Sequence, residues 1–415
     1  MSTIFEGKIR VLDISMGWAG PLVGQMFAEM GAEVIKVEDT RHFDWWRGSL
    51  SMAPPEMQPI ERAAVFNTAN RGKRGVTLDL ASARGIEILK KLIEVSDILI
   101  ENFSPGVMER LGLAYEAVGA INPRLIMISM PSFGSDGPEC NARGYGNTVE
   151  AMAGVTGLTG YHDGDGQRYT LSNALGDPVG GLHGVFALMV ALRERERTGR
   201  GQLIELAQVE SLIPFVGEAI LDFQFNGKVP ASRGNRHREH APHGIYRCAG
   251  ENNWIALVCE FDANWRGLAS ALGLERIADD PRFASAPARK ANEDALDAEL
   301  SRAIALLSAD ECLARLRDAG VLAAPVNSAP AVMADEQIQS REYFVAIDRA
   351  VVGTHLYPGA VARMPDTPLR ADESAPLLGE HNRQVFAELL NMSDEEIAEL
   401  ERLGVIGTRP RLGEG

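Results

Sequence analysis

The architecture expected for this chain follows from residues 9–38, which read IRVLDISMGWAGPLVGQMFAEMGAEVIKVE. The apolar run IRVLDI (9–14) predicts a strand, and PLVGQMFAEMG (21–31) predicts a helix that begins with Pro21 and ends at Gly31. AEVIKVE (32–38) predicts a second strand. A helix between two strands at this spacing is a βαβ unit, whose strands are parallel.

The alternation of strands and helices continues along the first half of the chain. The predicted elements are a helix at 83–96, a strand at 97–103, a short helix from Pro105 to near Gly112, a strand at 124–130, helices near 147–158 and 177–198, a strand at 201–207 and a helix to about Asn226. This spacing predicts an α/β fold with a parallel sheet and helices on both faces.

The pattern changes after residue 227. Strands are predicted at 244–248, 253–259 and 321–326, with helices near 262–272, 292–307 and 309–319. We therefore expect a large domain at 1–227, a smaller α+β domain at 228–328, and a return linker at 329–415 that completes the large domain. The last part contains a predicted strand at 343–353 and two helices near 380–403.

Composition limits the possible functions. The 415 residues carry a formal net charge of −16, with 45% hydrophobic and 24% charged residues. This is typical of a soluble globular protein, and the acidic balance disfavours nucleic acid as a partner. The four cysteines (Cys140, Cys248, Cys259 and Cys312) form no CxxC pair, which disfavours a disulfide framework or a zinc site. With no signal-peptide pattern and no apolar run of membrane length, we expect a cytoplasmic protein that contacts no membrane.

The segment LSNALGDPVGGLHG (171–184) places Asp177 at the beginning of a long apolar helix. A carboxylate in a first helical turn faces unpaired N–H groups and the positive end of the dipole, so we expect it to stay ionised. In a pocket, such a carboxylate can attack an activated acyl group. The alternative is that Asp177 only caps the helix. Four nearby glycines are expected to leave room for a bulky ligand: Gly176, Gly180, Gly181 and Gly184.

The first turn of the βαβ unit holds Gly17, Gly20 and Gly24, and the second strand ends at Glu38. Dinucleotide-binding proteins have a GxGxxG turn there and an acidic residue that binds the ribose. Here the glycine spacing differs and Pro21 removes an N–H from the helix start, which disfavours NAD or FAD. Several cations near predicted strand ends are candidates for phosphate binding, the alternative being ordinary solvated charges: Arg71, Lys73, Arg74, Arg110 and Arg143.

These residues resemble class III CoA-transferases, a superfamily of formyl-CoA and carnitine CoA-transferases and 2-methylacyl-CoA racemases. The resemblance covers essentially the whole chain and is densest in VLDISMGWAGPLVGQMFAEMGAEVIKVE, NRGKRGVTLDL, DILIENFSPGVMERLGL, NPRLIMISMPSFG, ALGDPVGGLHG and RTGRGQLIELA. It implies a Rossmann-like large domain built from both chain ends, a small inserted domain, and an interlocked homodimer of two threaded rings.

The resemblance also implies site residues. Asp177 matches the catalytic aspartate, and six residues match positions that line the CoA site: Lys73, Arg74, Asn102, Phe103, Arg110 and Arg143. The implied mechanism is covalent: Asp177 forms a mixed anhydride with the donor acyl group, then an aspartyl-CoA thioester, then a second anhydride with the acceptor acid. Coenzyme A is a substrate, and we expect no metal or other cofactor.

One position distinguishes a transferase from a racemase. In GYGNTVEAMAG (144–154), Tyr145 stands where racemases carry a proton-transferring His, and a phenol is a poor base at neutral pH. This favours a transferase, with racemase and a non-catalytic CoA-binding protein as alternatives. Gly146 and Trp18 depart from the formyl-CoA type, as does the loop NRHREHAPHG (235–244), so formate or oxalate is disfavoured.

Two clusters are candidates for a substrate pocket. Trp18, Trp45 and Trp46 can pack at a contact or border an acceptor acid together with Tyr145, and Trp faces would attract an onium group. The second cluster lies in the loop at 235–244, where His237 and His240 are candidates for a substrate-facing role. Together with His243 they could instead bind a metal or lie on a plain surface.

Overall fold

The computed structural model describes residues 3–48, 59–161, 168–171 and 174–411. The chain divides into two compact units. Unit 1 comprises Met1–Val155, Thr170–Leu221 and Gln339–Gly415, and unit 2 comprises Thr156–Tyr169 and Asp222–Ile338. The predicted small domain, 228–328, lies within the longer segment of unit 2.

Unit 1 contains a six-stranded parallel sheet. Its strands are β1 (Arg10–Asp13), β2 (Glu33–Glu38), β3 (Arg74–Thr77), β4 (Ile98–Glu101), β5 (Ile126–Ser129) and β6 (Leu203–Glu205). Their spatial order is 3-2-1-4-5-6, which is the Rossmann order, and it reverses direction between β1 and β4. The predicted α/β fold with a parallel sheet is confirmed.

In the described part of the chain, the helices are α1 (Ala19–Glu29), α2 (Ala64–Ala69), α3 (Ala83–Glu94), α4 (Val107–Arg110), α5 (Tyr115–Ile121), α6 (Gly146–Met152), α7 (Val155–Leu158), α8 (Gly176–Thr198), α9 (Gln208–Leu212), α10 (Gly217–Asn226), α11 (Asp262–Ala271), α12 (Glu275–Ala278), α13 (Ala286–Ala291), α14 (Glu293–Ile304), α15 (Ala309–Asp318), α16 (Ala329–Ala334), α17 (Glu336–Ser340), α18 (Asn382–Leu390) and α19 (Asp394–Leu403). Short 3-10 turns occur at Trp45–Arg47, Pro59–Glu61 and Ile213–Val216.

Helices cover both faces of the parallel sheet because successive strand residues point to opposite sides. Leu12 and Leu99 face a core formed with α3, α5, α18 and α19. Val11, Ile98 and Ile100 face a second core, formed with α1 and α8. Both chain ends therefore contribute to unit 1, since α18 and α19 pack on strands formed by the first 130 residues.

Unit 2 has its own core and an antiparallel sheet of β7 (His243–Arg247), β8 (Trp254–Val258) and β9 (Leu322–Pro325). Trp265 and Phe283 are fully buried in this core, together with apolar residues of α14 and α15. A separate core of this kind is what lets a segment form a compact unit of its own.

Two strands differ from the sequence-based predictions. The stretch 343–353, predicted as one strand, contributes to a hairpin of β10 (Phe344–Arg349) and β11 (Gly353–Pro358), whose turn puts Val351 at a φ of 76°. The strand β3 is absent from the sequence-based predictions. It is only four residues long, and its pairing with β2 comes from the sheet rather than from a strong local pattern.

Two properties bear on the function classes. All four cysteines are free thiols. Within the described ranges, no helix combines the length and the apolar character that crossing a bilayer requires.

The glycines of α8 do not leave room for a ligand, which corrects the expectation from the sequence. A Cβ on Gly181 would lie 3.0 Å from the backbone oxygen of Ala19, and one on Gly184 would lie 3.0 Å from the side chain of Val23. A Cβ on Gly180 would lie 3.3 Å from the side chain of Gln208. These glycines allow α8 to approach its protein neighbours closely, so their spacing reflects packing.

This packing makes a first prediction. Gly181→Val should lower the free energy of unfolding by about 1–3 kcal/mol, because the added atoms meet the backbone of α1. Gly217→Val is the matched control, since a Cβ at this helical glycine meets nothing within 4 Å. Urea unfolding at one fixed protein concentration measures the difference, and equal midpoints for the two variants would contradict the prediction.

Candidate active site

A cavity of about 1010 Å³ in unit 1 opens where the strand order reverses. Met16 and Trp18 follow the end of β1, and Asn102 and Phe103 follow the end of β4. Parallel α/β sheets bind ligands beyond the carboxyl ends of their strands at this reversal. The cavity is lined by Met16, Trp18, Trp45, Trp46, Gly48, Ala63, Ala64, Val65, Thr68, Ala69, Asn102, Phe103, Ser104, Ser132, Gly144, Tyr145, Gly146, Asn147, Ala174, Asp177 and Gln208.

Asp177 lies on the cavity wall in the first turn of α8. The helix has no side-chain cap, and within the described ranges the Asp177 carboxylate accepts no hydrogen bond. The capping interpretation therefore does not describe this residue. A Cβ on Gly146 would lie 2.6 Å from Oδ2 of Asp177, so the carboxylate rests directly against the backbone of α6.

The electrostatics of Asp177 differ from the expectation based on the helix dipole. Burial, reinforced by the nearby carboxylate of Glu150, raises the pKa of Asp177 to about 6. Most of the carboxylate is still ionised at neutral pH. The raised pKa indicates a poorly solvated anion, which is a better nucleophile than a hydrated carboxylate.

Glu150 is a fully buried residue of α6 that the sequence analysis did not single out. One of its oxygens accepts the backbone N–H of Leu175, the residue that precedes α8. Its Oε2 has no hydrogen-bond partner in the described part of the chain. Glu150 therefore fixes the start of the Asp177 helix and also places a second negative charge beside Asp177.

Buried ion pairs hold the turn that carries two of the tryptophans. Asp44 accepts the backbone N–H groups of Gly17 and Trp46, and its carboxylate lies 3.0 Å from Nζ of Lys36. Arg47 pairs with Glu38 and Glu61, at 2.8 Å each. The Glu38 carboxylate is thus engaged by Arg47 rather than available to a ribose.

Four aromatic side chains form a continuous row on the cavity wall. The ring centroids of Trp18 and Trp46 are 5.3 Å apart, those of Trp46 and Trp45 are 6.0 Å apart, and those of Trp45 and Tyr145 are 5.8 Å apart. Tyr145 directly precedes Gly146, so the row ends beside Asp177. The structure therefore brings together four of the six substrate-pocket candidates.

The predicted CoA-site residues fall into three groups. Asn102 and Phe103 line the cavity. The Asn102 side chain is already engaged by the backbone of Met16: its Oδ1 accepts the N–H, and its Nδ2 donates to the carbonyl oxygen. Arg110 and Arg143 are exposed and form no ion pair within the described ranges. Exposed, unpaired guanidinium groups are suited to phosphates.

Lys73 and Arg74 are engaged in other contacts, and neither lines the cavity. The buried Lys73 ammonium donates to Asp13, to the carbonyl of Pro21 and to Asn70, which uses all three of its hydrogens. Arg74 pairs with Glu33 and Glu388. A phosphate contact from Lys73 does not fit this arrangement.

The histidine loop belongs to unit 2. The rings of His237 and His240 stack at 4.4 Å, and His243 lies 5.4 Å from His237. Nδ1 of His237 accepts the backbone N–H groups of Glu239 and His240, so this nitrogen is already in use. Within the described ranges, no three His, Cys, Asp or Glu side chains converge in a way that could hold a metal ion.

The sequence analysis missed three features of the site: the position of Glu150 near Asp177, the close approach of Gly146 to the Asp177 carboxylate, and the amide of Gln208 on the cavity wall. Gln208 donates to the carbonyl of Met130 and lines the cavity. A charged residue on the buried side of a short helix was the one available signal for Glu150. Its proximity to Asp177 depends on how two helices meet.

Comparisons with known proteins identify the family of this chain. The chain matches the family model CoA-transferase family III over residues 7–382. It is 31% identical to a succinyl-CoA–D-citramalate CoA-transferase of Chloroflexus aurantiacus, covering 96% of this chain and 97% of the relative. It is 33% identical to a succinate–glutarate CoA-transferase of Agrobacterium fabrum, covering 92% and 94%.

A solved structure gives the same result. A crystal structure of a CaiB/BaiF family protein from Brucella suis superimposes with a TM-score of 0.84 at 34% identity, covering 94% of this chain and all of that chain. The family model spans most of the sequence, and the relatives are enzymes that transfer CoA between acids. The chain therefore belongs to CoA-transferase family III and is an enzyme of the CoA-transferase class.

Proposed function

We propose that this enzyme transfers CoA from an acyl-CoA thioester to a carboxylic acid through covalent intermediates on Asp177. The observation that carries the proposal is a carboxylate without hydrogen bonds in the described part of the chain, of raised pKa, on the wall of a large cavity at the strand reversal. Family membership supports the overall reaction. The names of the relatives include succinate, glutarate and citramalate, all of which carry carboxylates.

The first half of the reaction loads CoA onto the enzyme. An oxygen of Asp177 adds to the thioester carbon of the donor, the C–S bond breaks, and a mixed anhydride forms as CoA thiolate leaves. The thiolate then attacks the Asp177 carbonyl, and the donor acid departs as a carboxylate. Each step exchanges one activated acyl bond for another and needs no net proton transfer.

The second half passes CoA to the acceptor. The acceptor carboxylate attacks the aspartyl thioester, thiolate leaves, and a second anhydride forms. Thiolate then attacks the acceptor carbon and releases the Asp177 carboxylate. Oxyanions formed at Asp177 lie at the start of α8, where the N–H groups of Gly176 and Asp177 have no intrahelical acceptor.

For the CoA itself, we propose that Phe103 and Asn102 border the thioester end, and that Arg110 and Arg143 meet phosphates. The apolar positions of the cavity provide contact for the pantetheine. The transferase interpretation is preferred over a racemase because Tyr145 takes the position of the racemase His, and its side chain is 63% exposed in contact with Trp45.

Asp177→Ala should lower kcat by about 10³-fold or more, because the nucleophile is removed. The matched control is Asp310→Ala, since Asp310 also lies in the first turn of a helix and is exposed. Both variants should bind CoA as the parent does. Transfer of label from an acid into an acyl-CoA measures the effect, and an Asp177→Ala variant that keeps most of the parent kcat contradicts the proposal.

The pH dependence follows from the same carboxylate. The kcat/KM for the acyl-CoA donor should fall tenfold for each pH unit below about pH 6 and should level off above pH 6, because only ionised Asp177 attacks the thioester. Glu150→Gln retains an acceptor for Leu175 but removes the neighbouring charge, so the midpoint should move to lower pH. The matched control is Glu210→Gln, at an exposed carboxylate of α9. An unmoved midpoint in Glu150→Gln would count against this electrostatic coupling.

We also propose an interlocked homodimer. Along α8, Leu182, Phe186, Met189 and Val190 are each between 37% and 70% exposed, and their spacing puts them on one helix face. An apolar stripe of this kind is typical of a surface that a partner covers. In support, unit 1 combines segments from before and after unit 2.

Linked rings cannot separate on dilution, because each covalent chain passes through the other. Sedimentation at nanomolar concentration should therefore show a particle of about twice the 44.9 kDa chain mass. A folded monomer under these conditions contradicts the interlocked arrangement.

A further inference from the structure

Two residues of α6 face the start of α8. Gly146 and Glu150 are four positions apart, so they lie on one face of α6. A Cβ on Gly146 would lie 2.6 Å from Oδ2 of Asp177, and the Glu150 carboxylate accepts the backbone N–H of Leu175. One turn of α6 therefore contacts both the residue that reacts and the residue two positions before it.

Backbone contacts keep the two carboxylates close to each other. A Cβ on Gly176 would lie 3.0 Å from the backbone oxygen of Gly146 and 3.2 Å from Cβ of Val149. Asp177 directly follows Gly176, and Glu150 directly follows Val149. Glu150 is fully buried within one chain, so its contacts come from this chain and a partner subunit adds none.

The charge of Glu150 disfavours a second negative charge at Asp177. Like charges repel more strongly where water is excluded, because less solvent screens them. Burial and the charge of Glu150 together raise the pKa of Asp177 to about 6. A raised carboxyl pKa means that an uncharged form of the group is favoured over the anion, by a factor of about ten for each pH unit.

The CoA-loaded form of Asp177 is also uncharged. During loading, the C–S bond of the donor thioester breaks and a C–S bond forms at the carboxyl carbon of Asp177. The donor acid leaves with one oxygen of Asp177 and with the negative charge. The charge thus moves from a position beside Glu150 to an acid that departs into water. The repulsion that favours protonation of Asp177 therefore favours loading as well.

We propose that Glu150 is a positioning residue whose buried charge favours the aspartyl-CoA thioester over the free Asp177 carboxylate, so that the CoA-loaded enzyme predominates between turnovers. This inference rests on the proposed transferase function. It assigns to Glu150 an effect on a covalent equilibrium, in addition to its effect on the pH midpoint.

The ratio of loaded to free enzyme tests the inference directly. The enzyme is mixed at pH 7.5 with succinyl-CoA, acetyl-CoA or 3-phenylpropanoyl-CoA, each with an equal concentration of the matching acid and both in large excess. Intact-protein mass spectrometry separates free enzyme from loaded enzyme, which is heavier by CoA less one water. With the donor that exchanges fastest, the parent ratio should exceed unity by about tenfold.

Two substitutions separate the charge of Glu150 from its contact with Leu175. Glu150→Gln keeps an oxygen for the Leu175 N–H but removes the charge, so the ratio should fall about tenfold. Glu150→Asp keeps the charge on a shorter side chain, so the ratio should stay near that of the parent. A residue that only anchors α8 would give the opposite order. Glu210→Gln, at an exposed carboxylate of α9, is the matched control and should leave the ratio unchanged.

The outcomes distinguish this inference from the transferase proposal. If none of the three donors gives either loaded enzyme or transfer of label from its acid, the transferase function itself is overturned. Transfer of label by a parent enzyme whose ratio lies below unity overturns only the role of Glu150, and this measurement needs no variant to fold. A folded Glu150→Gln variant with the parent ratio overturns it too, as does a loss of loading confined to Glu150→Asp.

Discussion

A set of buried ion pairs around β1, β2 and the start of β3 organises unit 1. Asp13 pairs with Lys73 at 2.8 Å, and Lys36, from the neighbouring strand, pairs with Asp44. All four side chains are withdrawn from water. Removing one partner from such a pair leaves an uncompensated charge and costs about 3–5 kcal/mol, so these contacts specify one arrangement of the chain.

The network extends from the sheet to the C-terminal segment. Glu61 lies between Arg47 and Arg349 at 2.8 Å from each, and the guanidinium groups of both also bond the carbonyl of Pro376. The phenyl ring of Phe66 lies 3.6 Å beneath Arg47. Residues far apart in the sequence are thereby tied to the turn that presents the tryptophans, so the shape of the cavity depends on both ends of the chain.

At Asp177, two general effects oppose each other. The start of a helix favours a charged carboxylate, whereas burial and a neighbouring carboxylate disfavour one. Here the second effect prevails, and the pKa rises to about 6. An anion that is poorly solvated but still present at neutral pH is suited to attack a thioester. The fold thus separates the charges that stabilise it, which are paired, from the carboxylate of Asp177, which accepts no hydrogen bond from the described residues.

The sequence by itself determined the alternation of strands and helices, the position of Asp177 at a helix start and the resemblance to CoA-transferases. These depend on periodicity and spacing within short segments. Tertiary structure decided which charges are paired, that Glu150 lies beside Asp177, and that the glycines of α8 serve packing. The physical reason is the distance along the chain over which each property acts. A local pattern specifies which faces of a helix or strand are apolar, whereas pKa values and close approaches depend on residues from distant segments that only folding brings together.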